Sequence, residues 1–269
     1  MKRFRRDSLL WVGAGYLVLL ALVALFAPTL RYGYLNQAAM PLLHASGAHW
    51  MGTDELGRDV FERIAYGARI SLEVGLSVQA ISLFFGVLVG SLGEFAPKWI
   101  GMPLMRLTDG MFAFPDILLA ILLIGVIGMG KTPVIVALSI TAWPSVARLV
   151  KTQIASLRDR EFVVASRAMG ASVFAVVTKH ILPQLWGILL AVSMVDLAGT
   201  ILAESTLSFL GVGVQAPEPS WGSMIDHARA ELQSEPMQIV WPCLVLSLTI
   251  FALNFVGEGL RAAVDPKSG

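Results

Sequence analysis

Three stretches of the chain, Leu9 to Ala27, Val74 to Gly93 and Ile239 to Gly257, run for a full membrane thickness without one charged side chain. A bilayer core about 30 Å thick needs roughly 20 apolar helical residues to cross it. Backbone polar groups in hydrocarbon must pair within their own segment, so each run is expected as a helix. An ordinary water-soluble domain does not offer the alternative of burying them all. Only 14% of the 269 residues are charged and 56% are hydrophobic, far from soluble composition.

Gln184 to Ala203 is a fourth crossing, interrupted only by Asp196. Ile117 to Ala147, interrupted by Lys131, is too long for one helix. It divides at Gly128-Met129-Gly130-Lys131-Thr132-Pro133, where glycine and proline favour a tight turn. The expectation is an all-α, polytopic integral membrane protein, one domain over 1–269, with six helices near 8–28, 71–93, 110–130, 132–150, 184–204 and 238–258.

Charge placement tests this count, because cytoplasmic segments beside membrane helices carry excess Lys and Arg. Lys2, Arg3, Arg5 and Arg6 put the N-terminus inside. Four crossings later Arg148, Lys151, Arg158, Arg160, Arg167 and Lys179 face only Asp159 and Glu161, so the loop 151–183 is cytosolic too. Segments 29–69 and 205–237 are then external, the second carrying Glu218, Asp226, Glu231 and Glu235 after Glu204 at the helix end. An odd crossing count would put the basic loop outside and the acidic segment inside. The basic start before Leu9 fits a retained span, since the run is span-length and no small-residue cleavage site precedes Pro28. Six crossings leave both chain ends in the cytosol. A net charge of +1 gives no sign of nucleic-acid binding, and the lone Cys243 permits no internal disulfide.

In the external segment, Val60, Phe61, Ile64, Ala65 and Ala68 recur at helical spacing, with Arg58, Glu62, Arg63 and Arg69 off that stripe. This predicts a short amphipathic helix lying at the membrane interface as a collar. Gly86 and Gly90 stand four apart, a spacing that lets membrane helices approach closely. The glycines and prolines between Leu207 and Gly222 predict turns and re-entrant backbone.

The cytosolic loop is periodic. Phe162, Ala165, Ser166 and Met169 fall on one helical face. After Gly170, Ser172 is placed to cap a second helix whose Val173, Val176, Val177, His180 and Ile181 share a face, with Pro183 at its end. Apolar faces in the cytosol must be covered by the chain's own bundle, by the lipid surface or by a partner.

Ala165-x4-Gly170 followed by Leu182-Pro183 resembles the coupling loop, the EAA loop, of ABC importer permeases. Val164, Ser166 and His180 stand where that loop usually has Glu, Ala and Ile. Three further stretches look like the C-type permeases of the dipeptide, oligopeptide and nickel branch: His49-Trp50-Met51-Gly52-Thr53-Asp54-Glu55-Leu56-Gly57-Arg58-Asp59, Glu204-Ser205-Thr206-Leu207-Ser208-Phe209-Leu210-Gly211-Val212-Gly213, and Gly257-Glu258-Gly259-Leu260-Arg261. The resemblance implies a type I ABC importer permease fold in a bacterial cytoplasmic (inner) membrane. It implies a second homologous permease subunit, two ATPase subunits or domains, and an extracytoplasmic substrate-binding protein. It implies an ATPase-coupling loop of Glu161, Ala165, Ser166, Ala168, Met169, Gly170, Ala171, Ser172, Phe174, Leu182 and Pro183. ATP and Mg would sit on the ATPase partners, with no cofactor on this chain.

Gly125-Val126-Ile127-Gly128-Met129-Gly130-Lys131-Thr132 also satisfies the P-loop pattern G-x-x-x-x-G-K-T. That pattern cradles phosphate only between a strand and a soluble helix. Here membrane helices flank it, and an ATPase reading is set aside. His44, His49, His180 and His227 have no metal-ligand spacing, and no catalytic constellation is visible. Asp196 lies midway along its span, where a carboxylate faces either a structural partner or a polar path. Both readings stay open, and Glu204, expected to snorkel at the outer end, is a second path candidate. The leading expectation is a peptide importer permease without enzymatic activity, with nickel or a metal chelate as runner-up cargo. A stand-alone secondary transporter or channel, which would carry more intramembrane charges, is the alternative class.

Overall fold

The computed structural model describes residues 2–37 and 39–264, and the side chains of 2–7 and 264 are outside that description. The basic side chains of Lys2 to Arg6 and the C-terminal tail, on which the expected placement of both ends rests, therefore lie outside the described residues.

Ten helices follow in order: α1 (Lys2–Phe26), α2 (Val60–Phe95), α3 (Lys98–Met111), α4 (Asp116–Ile127), α5 (Lys131–Leu157), α6 (Glu161–Ala168), α7 (Val173–Val176), α8 (Leu182–Phe209), α9 (Trp221–Ala230) and α10 (Met237–Val264). Five rods are long and apolar enough to cross a membrane, and the bent pair α3 and α4 makes a sixth. Helix α2 packs chiefly on α5, and α8 on α10, with α2 touching α8 and α1 lying against α10 and α2. The closest approach of α2 and α5 is at the paired glycines. A Cβ on Gly86 would lie 2.4 Å from Val146 Cβ, and one on Gly90 would lie 2.6 Å from the Ala147 carbonyl oxygen.

The third crossing departs from the single helix expected at 110–130. It is two helices, bent by 96° at Phe112 to Pro115. Pro115 removes a backbone donor and drives its predecessor out of helical angles, so the chain restarts at Asp116. The bend is clamped onto α5. Arg148 Nη2 donates to Asp109 Oδ1 at 2.8 Å, and its guanidinium lies 3.9 Å from the centre of the Phe112 ring.

The collar is also corrected. Val60 to Ala68 is the first part of α2, because nothing between Arg69 and Val74 breaks the helix. Of its charged residues Arg58, Glu62 and Arg63 are buried, while Arg69 is exposed. Arg58 Nε donates to Asp54 Oδ2 at 2.6 Å, Arg63 Nε lies 3.3 Å from the same oxygen, and Asp59 accepts from the Glu62 amide at 2.9 Å as N-cap. The segment between α1 and α2 thus ends at Asp59. At the far end of the fourth rod, α8 runs on to Phe209 before the expected turns begin, and the short helix α9 follows them.

These features gather at one end of the bundle, the cap end. Trp221, 0% exposed, donates from Nε1 to the Ile64 carbonyl at 3.1 Å, tying α9 to α2. Gln238 donates to the Thr53 carbonyl at 2.8 Å, tying α10 to the segment before α2. His49 Nδ1 lies 2.8 Å from Asp59 Oδ2. The opposite end, the loop end, carries α6 and α7.

Candidate functional site

Two places carry the residues singled out in the sequence. At the loop end, Val163 of α6 with Val176 and Ile181 turns inward and packs with Val150, Ile154 and Leu185, and Ser166 and Val177 are buried beside them. The expected stripe is only partly the buried one. Phe162, Ala165 and Met169 face outward, as do Val173 and His180 of the second face. The cause is that both sides of these short helices are apolar, so the neighbouring α5 and α8 decide which side packs.

The turn between them is built as the spacing suggests. Met169, Gly170 and Ala171 donate backwards to the carbonyls of Ala165, Arg167 and Ser166, and Gly170 sits at φ +86°, which closes α6 in a Schellman motif. Ser172 Oγ accepts from the Ala175 amide at 3.2 Å, capping α7. A wide π turn, Val177–Ile181, then joins α7 to α8, where Pro183 lacks the donor that a regular turn would need.

Left uncovered are Met169, 82% exposed, Phe174, 78% exposed, and around them Phe162, Val164 and Val173. Glu161, Ala168, Pro183 and the cations Arg160 and Arg167 are also exposed, while Ala171 and Leu182 are half-buried. Arg158 is tied to Asp159 and to Glu94 at the end of α2, and these carboxylates hold its guanidinium above the usual arginine value. Nothing else at this end covers the Met169 and Phe174 side chains among the described residues.

The second place is a cavity of about 350 Å³ inside the bundle, between α2, α4, α5 and α8. Asp196 lines it, half-buried, at mid-length of α8. Asp116, which sequence reasoning passed over, lines it as well, because the bend at Pro115 brings the start of α4 there. The signal that could have found it is the Phe-Pro-Asp sequence, a helix stop followed by a restart with an acidic first turn.

Glu204 belongs elsewhere. It is 0% exposed and is not in the lining of that cavity. It accepts from Ser208 Oγ at 2.8 Å, Ser71 Oγ at 3.2 Å and Ser205 Oγ at 3.4 Å, and Ser208 Oγ in turn accepts from the Val214 amide at 3.0 Å. This hydroxyl cradle locks the end of α8 to α2 and to the following turns, so the carboxylate need not snorkel.

Lys131 of the P-loop-like stretch is also engaged. Its ammonium donates to Glu73 at 3.1 Å and lies 3.6 Å from Glu218. A helix precedes it where a phosphate cradle needs a strand.

Residues 82–269 match the family described as binding-protein-dependent transport system inner membrane component, and residues 1–44 match the N-terminal transmembrane domain of oligopeptide transport permease C. The chain is 37% identical over 269 residues to the dipeptide transport system permease protein of Alkalihalophilus pseudofirmus, covering 99% of this chain and 88% of that one. It is 39% identical over 272 residues to the oligopeptide transport system permease protein of Bacillus subtilis, with the same coverage. It is 38% identical over 273 residues to the glutathione transport system permease protein of Shigella dysenteriae, covering 99% and 89%. Among solved structures, the inward-facing MetNI methionine ABC transporter superposes with a TM-score of 0.63 at 19% identity, over 76% of this chain and 96% of that one.

Proposed function

The chain belongs to the family of binding-protein-dependent transport system inner membrane components, and from that membership we propose that it is the permease subunit of an ATP-driven importer of peptides. Full-length relatives named for dipeptide, oligopeptide and glutathione transport support the cargo class. On this reading a second permease subunit completes the translocation path beside the Asp196 cavity. Two ATPase subunits hydrolyse ATP, and an extracytoplasmic binding protein delivers cargo to the cap end. The loop end lies in the cytosol, as its basic residues favour.

The observation that carries the coupling role is the uncovered pair Met169 and Phe174 on a loop whose inner face is packed. A folded turn with a capped helix on each side presents a preformed apolar knob, the geometry of a helix seated in a partner's groove. Exposed apolar side chains of this size, next to free-standing arginines, are what a docking surface requires and what a solvated loop avoids. Co-expression of the tagged chain with its transporter partners tests this. The unaltered chain should retain an ATPase subunit on purification, and Gly170→Val, which strains the φ +86° turn, and Phe174→Asp should each lose it while remaining in the membrane. Undiminished retention in both variants would refute docking at this loop, and ion-driven transport by the chain alone in liposomes would refute the importer reading.

A further inference from the structure

We propose that the Asp116 and Asp196 cavity is a binding station for a cationic group of the cargo, an ammonium such as a peptide's amino terminus or a lysine side chain. The proposal rests on the importer reading and adds to it the side chains that meet the cargo.

Two carboxylates line one cavity of about 350 Å³, and no Lys, Arg or His lines it. Neither carboxylate has a hydrogen-bond or ion-pair partner among the described residues, unlike Glu204, Asp54 and Asp59 in the same protein. Ser82, also in the lining, is 1% exposed, and its hydroxyl finds no partner among the described residues. Buried hydroxyls are almost always paired, so a lone one in the wall of a cavity marks a place for a group supplied from outside. The remaining polar lining, Gln79, Thr141, Ser145 and Thr200, offers oxygen acceptors as well.

The charge balance decides the sign of the ligand. The amino end of α4 contributes about half a positive charge. Two carboxylates outweigh it, and the cavity is left attractive to cations. An ammonium carries three donors and no acceptor, which suits two carboxylates and a serine oxygen. A carboxylate-bearing end of the same cargo would be repelled and would have to lie away from this wall. The cavity therefore orients the cargo as well as admitting it.

The test places a thiol in the cavity of the full transporter, as Thr141→Cys in a Cys243→Ser background. Its modification by a cationic thiosulfonate, the trimethylammonium-ethyl reagent, is compared with that by the anionic sulfonatoethyl reagent, each referred to a free thiol. The cationic reagent should be favoured about tenfold, as a focused field of this kind produces. Asp196→Asn and Asp116→Asn should each reduce the preference, and the double variant should abolish it. Asp116 is exposed at a helix start, so its amide leaves the packing intact. A preference that survives both amides, or one for the anionic reagent in the unaltered cavity, overturns the station. Labelling needs no turnover, so absence of ATP-driven peptide uptake by the unaltered transporter would overturn the importer reading separately.

Discussion

At the cap end of the bundle, charged and aromatic side chains are turned inward: Asp54 holds Arg58 and Arg63, Glu204 sits among serines, and Trp221 is sealed between α2 and α8. At the loop end, Phe174 and Met169 point out while the backbone beneath them is capped and closed. Apart from one buried oxygen of Glu62, the cap end pairs these groups with residues of this chain. The loop end leaves apolar surface unsatisfied on a rigid mount. The difference teaches that one end is finished by folding, while the other holds apolar surface out on a rigid mount.

The comparison breaks if stability is distributed otherwise. Trp221→Ala should have the largest effect, lowering the stability of the detergent-solubilised protein by about 3–5 kcal/mol, because a fully enclosed ring is removed and its cavity cannot collapse. Thermal unfolding monitored by tryptophan fluorescence or by aggregation checks it. Ser172→Ala removes the cap of α7 and should cost about 1 kcal/mol, read in the same melt, with hydrogen exchange rising at Val173 to Val176 only. Phe174→Ala should change stability by no more than about 0.5 kcal/mol, since the ring is exposed, yet should weaken retention of an ATPase subunit. A melt in which Phe174→Ala matched Trp221→Ala would show the loop to be completed within the chain, and the contrast would fall.

The spans were legible because the uncharged runs are as long as a bilayer is thick, and the Gly128 to Gly130 turn announced itself by composition. The bend at Phe112 to Pro115 was not, since apolar residues on both sides of it read as one run, and α3 before it lacked any comparable signal. Ser172 was found as a cap because capping is local, within three residues. The role of Glu204 was hidden because its partner Ser71 lies 133 positions away. The same holds for Asp116, which comes to share a cavity with Asp196 only through the bend. The burial of Glu62 and Arg63 escaped periodicity because charged side chains at the cap find partners on segments that no helical stripe predicts.

The rod that begins at Val173 and ends at Phe209 spans 37 residues, the wide turn at Val177 to Ile181 included. At about 1.5 Å per residue it is roughly 55 Å long. One tip carries the exposed Phe174, and the other is pinned by the serine cradle around Glu204. Such a rod is a lever with its fulcrum at the far end, so a tilt of about 5° at the cradle sweeps the Phe174 tip through roughly 5 Å, with Asp196 moving by less than half of that. A displacement at the tip is thereby geared down on its way to the cavity.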